Sequence, residues 1–580
     1  MGGFRLKKKL RKSVTVLAAS ALVFTAACSS DNSSNGGQAS APASGAASGS
    51  GESQEVVTLK VFISTANVPM NIIDNPQMKE IEKRIGVKLD FSPYTGGGDA
   101  KQKLGTLIAA NELPDLIYND DAETNNLLLK NDLILPLDEL IKTRGQELDK
   151  NIKQGLDYSR AMFSNDTKQI YFVPNIVGDE NVYPSGYDLV FQLRGDLLKK
   201  SGLSDPKSFD ELLQYGIEAN KLEPQTEDGQ KTYLTGIPFA DLNGFDYVDW
   251  NQAHYQGKAL VKGFSYFDME TNTLKPRFSD PDNEFWQSMA FYNKVFQAGL
   301  LDPESATMKG QQVQDKGKAL RYHLGIANWQ IGWPNNEIVD KKDMVRGFIP
   351  AMLNVRKDYA QLRFSQPVGG SMKISIPKTS KHADKAMDFL NMAASFEGAE
   401  LMWNGPEGYT WNMVDGKPVV KAEELTEEEK KIIGKNYLAP LMIVNGHRKN
   451  PNGWFTRYGD NSPELWTKGY SEPEKEYIKE NNLEYPTQIF DQTEVVIADT
   501  SLIDPVVMDS SNSLATNETK ISNYLNTNVA KVIYSKNDAD FAAAKEKFID
   551  DLKKLGIDEV MEFYKAGMEA NKAKLAELQQ

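Results

Sequence analysis

Residues 57–119 switch repeatedly between two hydrophobic periods, and this alternation restricts the possible folds more than any other feature of the chain. In "EVVTLKVFIS", Leu59, Val61 and Ile63 recur at every second position, the period of a strand with one face in a core. "NPQMKEIEKRIG" follows, with Asn75 as a cap, Pro76 at the first helical position, Met78, Ile81 and Ile85 on one stripe, and Gly86 as a stop. "VKLDF" reads as a second strand, Asp99 opens a helix bearing Leu104, Leu107 and Ile108, and "PDLIYND" supplies a third short strand. Strands separated by helices in this way pair in parallel through right-handed crossovers, giving an open α/β sheet. Such sheets bind ligands beyond the carboxyl ends of their strands. The loops at those ends hold Thr65, Asn67, Tyr94, Gly96, Asn119, Asp120 and Asp121. Ordinary solvated turns use the same residue types, so position alone does not separate the two roles.

The amino end obeys a different logic. Arg5, Lys7, Lys8, Lys9, Arg11 and Lys12 precede an uncharged stretch over 13–27, the order of an export signal and too short for a membrane span. "TAAC" resembles the lipobox of bacterial lipoproteins, with Thr25 where that motif usually carries Leu. The resemblance implies removal of residues 1–27 and lipidation of Cys28, the only cysteine, as a membrane anchor. An ordinary secretory signal with an unused thiol is the other reading. A free thiol outside the cytoplasm is an oxidation liability and a thioether is not, which favours the anchor. Residues 28–51 are mostly Ser, Gly, Ala and Asn, a flexible tether with a root-mean-square span of about 25 Å. Loss of the signal removes six positive charges and no negative ones, taking the formal charge from −14 to about −20. Nucleic acid and anionic lipid surfaces select basic patches, so neither is an expected partner.

Further along, "YDLVFQLRGDLLKKSGLSDPKSFDELLQYGIEANK" reads as a strand and two helices, with Ser208 and Glu211 at the spacing of a reciprocal capping box. "KISIPKTSKHADKAMDFLNMAASFEGAELMWNGPEGYTW" reads as a strand and two helices ending at Gly405. Residues 538–578 are helical, and "KAEELTEEEKK" is an exposed helical face. Catalytic signatures are scarce. His254, His323, His382 and His447 lie far apart, with no metal-ligand pair at helical spacing, phosphate loop or nucleophile elbow among these motifs. A pair of carboxylates of glycosidase type depends on spatial separation, so an exported glycoside hydrolase or lyase stays open at this point. Aromatic residues are more informative. Trp329 and Trp333, Trp403, Tyr409 and Trp411, and Trp454, Tyr458 and Trp466 fall in three stretches rich in Gly, Asn and Pro. Indoles beside amides and guanidinium groups suit a sugar ring, with packing as the competing use. Arg448 and Arg457 lie near Trp454, placed for an acidic sugar or for the chain's own carboxylates.

Together the lipobox, the opening strand and helix units, "LIAANELPDLIY", "LRGDLLKKSGLSDPKSFDEL" and "FLNMAASFEGAELMWNGPEGYTW" resemble extracellular solute-binding lipoproteins of carbohydrate-uptake ABC transporters. The nearest types are the long LipO-like lipoproteins of Gram-positive bacteria and the alginate-binding receptors. The resemblance implies an α/β fold of the two-lobe periplasmic-binding-protein type (type II), closing on ligand about a hinge. It implies a first lobe over 55–173 with a return segment at about 372–394. It assigns 174–371 to the second lobe, and 395–580 to the remainder of that lobe, the hinge and the carboxyl-terminal helices. Facing loops would bring Asn67, Tyr94 and Asn119 opposite Trp250, Trp329 and Trp411, with Asp120, Trp333, Tyr409 and Trp454 as further ligand-binding candidates. Relatives of this kind carry a calcium loop where this chain has "EPQTEDGQKTYLTG". Glu223, Glu227 and Asp228 remain there, but the closing acid is replaced near Thr232, so no tight calcium site and no other cofactor is expected. The implied function is non-enzymatic capture of an oligosaccharide by a monomer tethered to the extracytoplasmic face of the cell membrane. Its partners would be the permease subunits of an ABC importer. A receptor for peptides or other solutes on the same fold is the alternative within the family.

Overall fold

The computed structural model describes residues 55–64, 75–91, 100–178, 190–327, 345–356, 360–364, 368–370, 372–421, 438, 441–444, 448–461, 470–492, 495–498 and 500–578. "KAEELTEEEKK" falls almost wholly outside them. The alternation over 57–119 is present as β1 (Val57–Ile63), α1 (Pro76–Ile85), β2 (Val87–Asp90), α2 (Ala100–Ala110) and β3 (Leu116–Asn119). Asn75 caps α1 by accepting the Gln77 amide, and Gly86 closes it at φ 66°, a left-handed conformation that glycine adopts without strain. β1 pairs in parallel with β2 on one side and β3 on the other. Leu59, Val61 and Ile63 face one core while Phe62 joins a smaller cluster on the opposite face, so the central strand is covered on both sides.

The sheet is completed from afar. The strand Lys373–Ser375 lies antiparallel between β3 and the short strand β4 (Val173–Pro174). Behind it the helices Ala383–Ala393 and Phe396–Asn404 bury Phe389, Leu390, Leu401 and Met402 in the same core as β1. That core also takes Leu438 and residues 441–444, so the return extends well past 394. The boundary at 395 is therefore misplaced: the apolar stripe of Phe396–Asn404 continues the core begun by the preceding helix.

A second core gathers residues 190–353 and 477–568. Its short sheet sets Gln192–Arg194 between Phe348–Pro350 and Leu324–Gly325, all antiparallel. The capping box after Lys207 is modified: Ser208 accepts the Glu211 amide at 3.3 Å, but the Glu211 carboxylate reaches back to the Lys207 amide at 2.7 Å. The helix Asp538–Lys554 buries Phe548 and Leu552, with Phe541 partly buried beside them. Among the described residues no helix is long and apolar enough to cross a membrane.

Candidate functional site

A cleft of about 490 Å³ is lined by residues that belong to the segments of both cores. From the first come Asp120, Asn125 and Asn126, then Tyr158, Phe163 and Phe172, and finally Gly369, Gly370 and Lys373. From the second come Trp250, His254, the hairpin residues 259–262, and Thr500, Ser501 and Asp504.

Local chemistry explains how each wall is held. Beyond β3, Asp121 caps the helix α3 (Ala122–Lys130) by accepting the Thr124 amide at 2.8 Å. Asn119 donates to Asn125 Oδ1 at 3.0 Å and Asn125 donates back to the Asn119 carbonyl at 3.0 Å, a reciprocal amide pair that fixes Asn125 in the wall. Ser64 donates to Asp120 Oδ1 at 2.6 Å. Tyr158, Phe163 and Phe172 meet edge to face, with ring centroids 5.7 and 6.5 Å apart. Tyr158 then reaches across to the second wall, donating from its hydroxyl to the Ser501 carbonyl at 2.7 Å.

Trp250 opens the short helix Trp250–Tyr255 directly after Asp249. Asp249 is buried and held by Arg277 at 2.5 and 3.0 Å, with the Tyr266 hydroxyl donating to the same carboxylate. Asp246 binds the other side of Arg277. A fully buried guanidinium needs such partners, and here it locks the residue that precedes Trp250. The half-buried Trp250 ring packs 5.9 Å from Tyr247 and 6.3 Å from His254. Burial pushes the His254 imidazole down to about 3, so the ring is neutral at working pH.

The family model of the bacterial extracellular solute-binding protein matches residues 67–400, more than half of the chain. The chain belongs to this family. Solved structures share the solute-binding fold at low identity. Alginate-binding protein AlgQ2 is 16% identical over 89% of this chain and 98% of its own, with a TM-score of 0.58. FusA, an ABC-transporter substrate-binding protein of S. pneumoniae solved with kestose, is 16% identical over 89% and 100%, also at 0.58. An extracellular solute-binding protein from Bifidobacterium longum subsp. infantis is 14% identical over 89% and 98%, at 0.62. No curated protein matches the chain in sequence.

In this solute-binding protein Asp120 and Trp250 line one cleft, and Asn119 stands behind its wall as the residue that positions Asn125. Tyr409, Trp411 and Trp454 are elsewhere, which revises the expected face-to-face cluster. Trp411 is 9% exposed, donates its indole N–H to the Gly405 carbonyl at 3.0 Å, and meets Tyr458 edge to face at 4.7 Å. Its neighbour Asn404 bonds both Thr456 and Tyr458 main chains, so the group staples the end of Phe396–Asn404. Half-buried Trp454 carries Lys417 5.9 Å from its ring centroid, and Tyr409 is half-buried in the turn before Trp411. Arg448 donates to the Asn151 carbonyl at 2.6 Å, and Arg457 stacks over Trp403. Cys28, Thr65, Asn67, Tyr94, Gly96, Trp329, Trp333, Trp466 and His447 lie outside the described residues.

The calcium-loop remnants are occupied by protein. Glu223 binds Arg194 at 2.9 and 3.1 Å, Glu227 pairs with Arg346 at 3.3 Å, and Asp228 accepts from Thr226. Among the described residues no group of three or more His, Cys, Asp or Glu is arranged to hold a metal ion. Sequence reasoning missed Tyr158, Phe163, Asn125, Lys262 and Lys373. One signal was readable: the glycine of "ALVKGFSY" between two apolar runs marks a short hairpin loop, here of three residues, which holds Lys262 at the tip of a paired element.

Proposed function

We propose that this solute-binding protein captures an oligosaccharide in the cleft between its two cores and delivers it to an ABC importer. The observation that carries this reading is the composition of the cleft: aromatic rings from both sets of segments, Trp250 from one and Tyr158 and Phe163 from the other, together with amide and hydroxyl groups. A sugar presents apolar C–H faces to such rings and hydroxyls to such polar groups. Proteins of similar fold support it, since FusA is described with kestose and AlgQ2 as alginate-binding. Membership of an extracellular family supports the export signal over 1–27 and the anchor at Cys28, with residues 28–51 as the tether. Binding, with no chemical step, is the role that the family description supports.

Titration of intrinsic fluorescence against a panel of oligosaccharides, uronides and peptides tests the proposal. Saturable change with recovery of intact sugar is expected, and Trp250→Ala is expected to weaken binding about tenfold. Product formation would instead assign an enzyme, and response to peptides alone would assign a peptide receptor.

A further inference from the structure

Lys373 and Lys262, the two cleft lysines, lack the carboxylate partners that hold the half-buried Lys258 and Lys316 outside the cleft. Lys258 pairs with Glu284 at 2.6 Å, and Lys316 with Asp302 at 2.8 Å and Glu304 at 3.0 Å. Lys373 donates only to the Gly370 carbonyl, at 2.7 Å, and stands 5.1 Å from the centre of the Phe163 ring. Lys262 donates to the Asp504 carbonyl at 2.9 Å and stands 5.9 Å from the Tyr564 ring. Among the described residues neither ammonium forms an ion pair, although the Asp504 carboxylate acts on both from a longer distance. Each ammonium has three N–H donors, and partial burial with one neutral acceptor is poor compensation for lost water. Burial lowers the proton affinity of both, that of Lys373 to about 8.

The backbone adds an independent observation. Lys262 has φ +53° and Gly263 φ +70°, the first two residues of the three-residue loop between Lys258–Val261 and Ser265–Asp268. Left-handed backbone favours Gly, Asn or Asp, so a lysine there is held against local preference. The acids in the cleft are engaged in a different way: Asp120 accepts from Ser64 at 2.6 Å, and Asp504 from Thr500 at 2.8 Å. On a chain of formal charge −14, these lysines give the cleft hydrogen-bonding capacity for an anion that the surface as a whole does not favour.

We infer that the cleft selects an acidic oligosaccharide, one bearing uronate carboxylates or sulfate esters, whose oxyanions are bound by Lys373 from one wall and Lys262 from the other. The inference rests on the oligosaccharide reading and adds the charge of the ligand. It is tested with the intact exported protein by calorimetric titration of matched tetrasaccharides: galactotetraose, tetragalacturonate and a sulfated galactotetraose. Binding of an acidic form at least about tenfold tighter than the neutral one is expected, and the better of the two acidic probes identifies the oxyanion. Lys373→Met and Lys262→Gln are each expected to lower affinity for the acidic probe about 10- to 100-fold, and that for the neutral probe by a factor at least about tenfold smaller. Lys262→Gln lies on a surface hairpin and keeps the test decisive if Lys373→Met fails to fold. Equal affinity for neutral and acidic probes, or equal losses on both, overturns the inference and leaves oligosaccharide binding standing. Failure of the protein to bind any saccharide, with peptides bound instead, overturns the underlying reading and this one with it.

Discussion

His254 and His323 show how far single residues depart from their free behaviour in this fold. Both are buried, 2% and 0% exposed, and both are pushed from 6.5 down to about 3. Desolvation is the main cause in each case, with the Arg194 guanidinium adding to it at His323. The unfolded chain therefore binds protons at these positions that the folded chain refuses. Stability from these residues is complete above about pH 6.5 and falls as the pH is lowered towards 3. Thermal melting across that range is expected to show a steep loss for the wild type and a shallower one for His254→Gln/His323→Gln. Parallel curves would refute the assignment. Neither histidine's burial was visible in the sequence, because both lie in short segments whose hydrophobic pattern is too brief to show a face.

At the level of elements, the edge of the cleft depends on a close approach that only glycine permits. Gly369 has φ +97°, and a Cβ there would lie 2.5 Å from Pro174 Cβ and 2.9 Å from the Asn175 carbonyl oxygen. Both neighbours belong to β4 and the residue after it, beside the returning strand Lys373–Ser375. Gly369→Ala is expected to cost about 1–3 kcal/mol and to displace the segment bearing Gly370 and Lys373. Denaturant unfolding and ligand titration would check it, and unchanged values in both would show that the segment yields freely. The helix α1 was legible in full, since cap, proline, stripe and stop all lie within twelve residues. The pairing of Lys373–Ser375 with β3 was not derivable from residue pattern, because its partner is more than two hundred and fifty residues earlier in the chain. The calcium-loop remnant is a similar case: the spacing of acids could be read, but their binding by Arg194 and Arg346 required the fold.

On the scale of the whole molecule, the chain leaves one core and returns to it, so the cleft lies where two hydrophobic cores adjoin. Hydrogen bonds and ion pairs cross from one set of segments to the other, including Tyr158 to Ser501 and Lys130 to Asp509 at 2.6 Å. The Lys130–Asp509 pair lies exposed beside the apolar interiors it joins, and polar contacts of this kind suit closure by rigid bodies. We propose that the tether couples this receptor to its membrane. Cys28→Ser is expected to release the protein into the medium with ligand affinity unchanged, as measured by fractionation and titration of the released form. Retention in the membrane fraction would refute the lipid anchor.

Sequence alone determined the local elements and the kind of fold, because caps, periodicity and composition act over a few neighbouring residues. It also supplied the aromatic inventory from which a sugar site can be built. Tertiary structure decided which aromatics serve the cleft: Trp250 lines it, while Trp411 is used to close the end of a helix. It decided the same for charge, leaving Lys262 and Lys373 without an ion pair in the cleft while Lys258 and Lys316 are neutralised. The reason is physical: a side chain's work depends on what desolvates it and what faces it, and both are set by contacts between segments far apart in the chain.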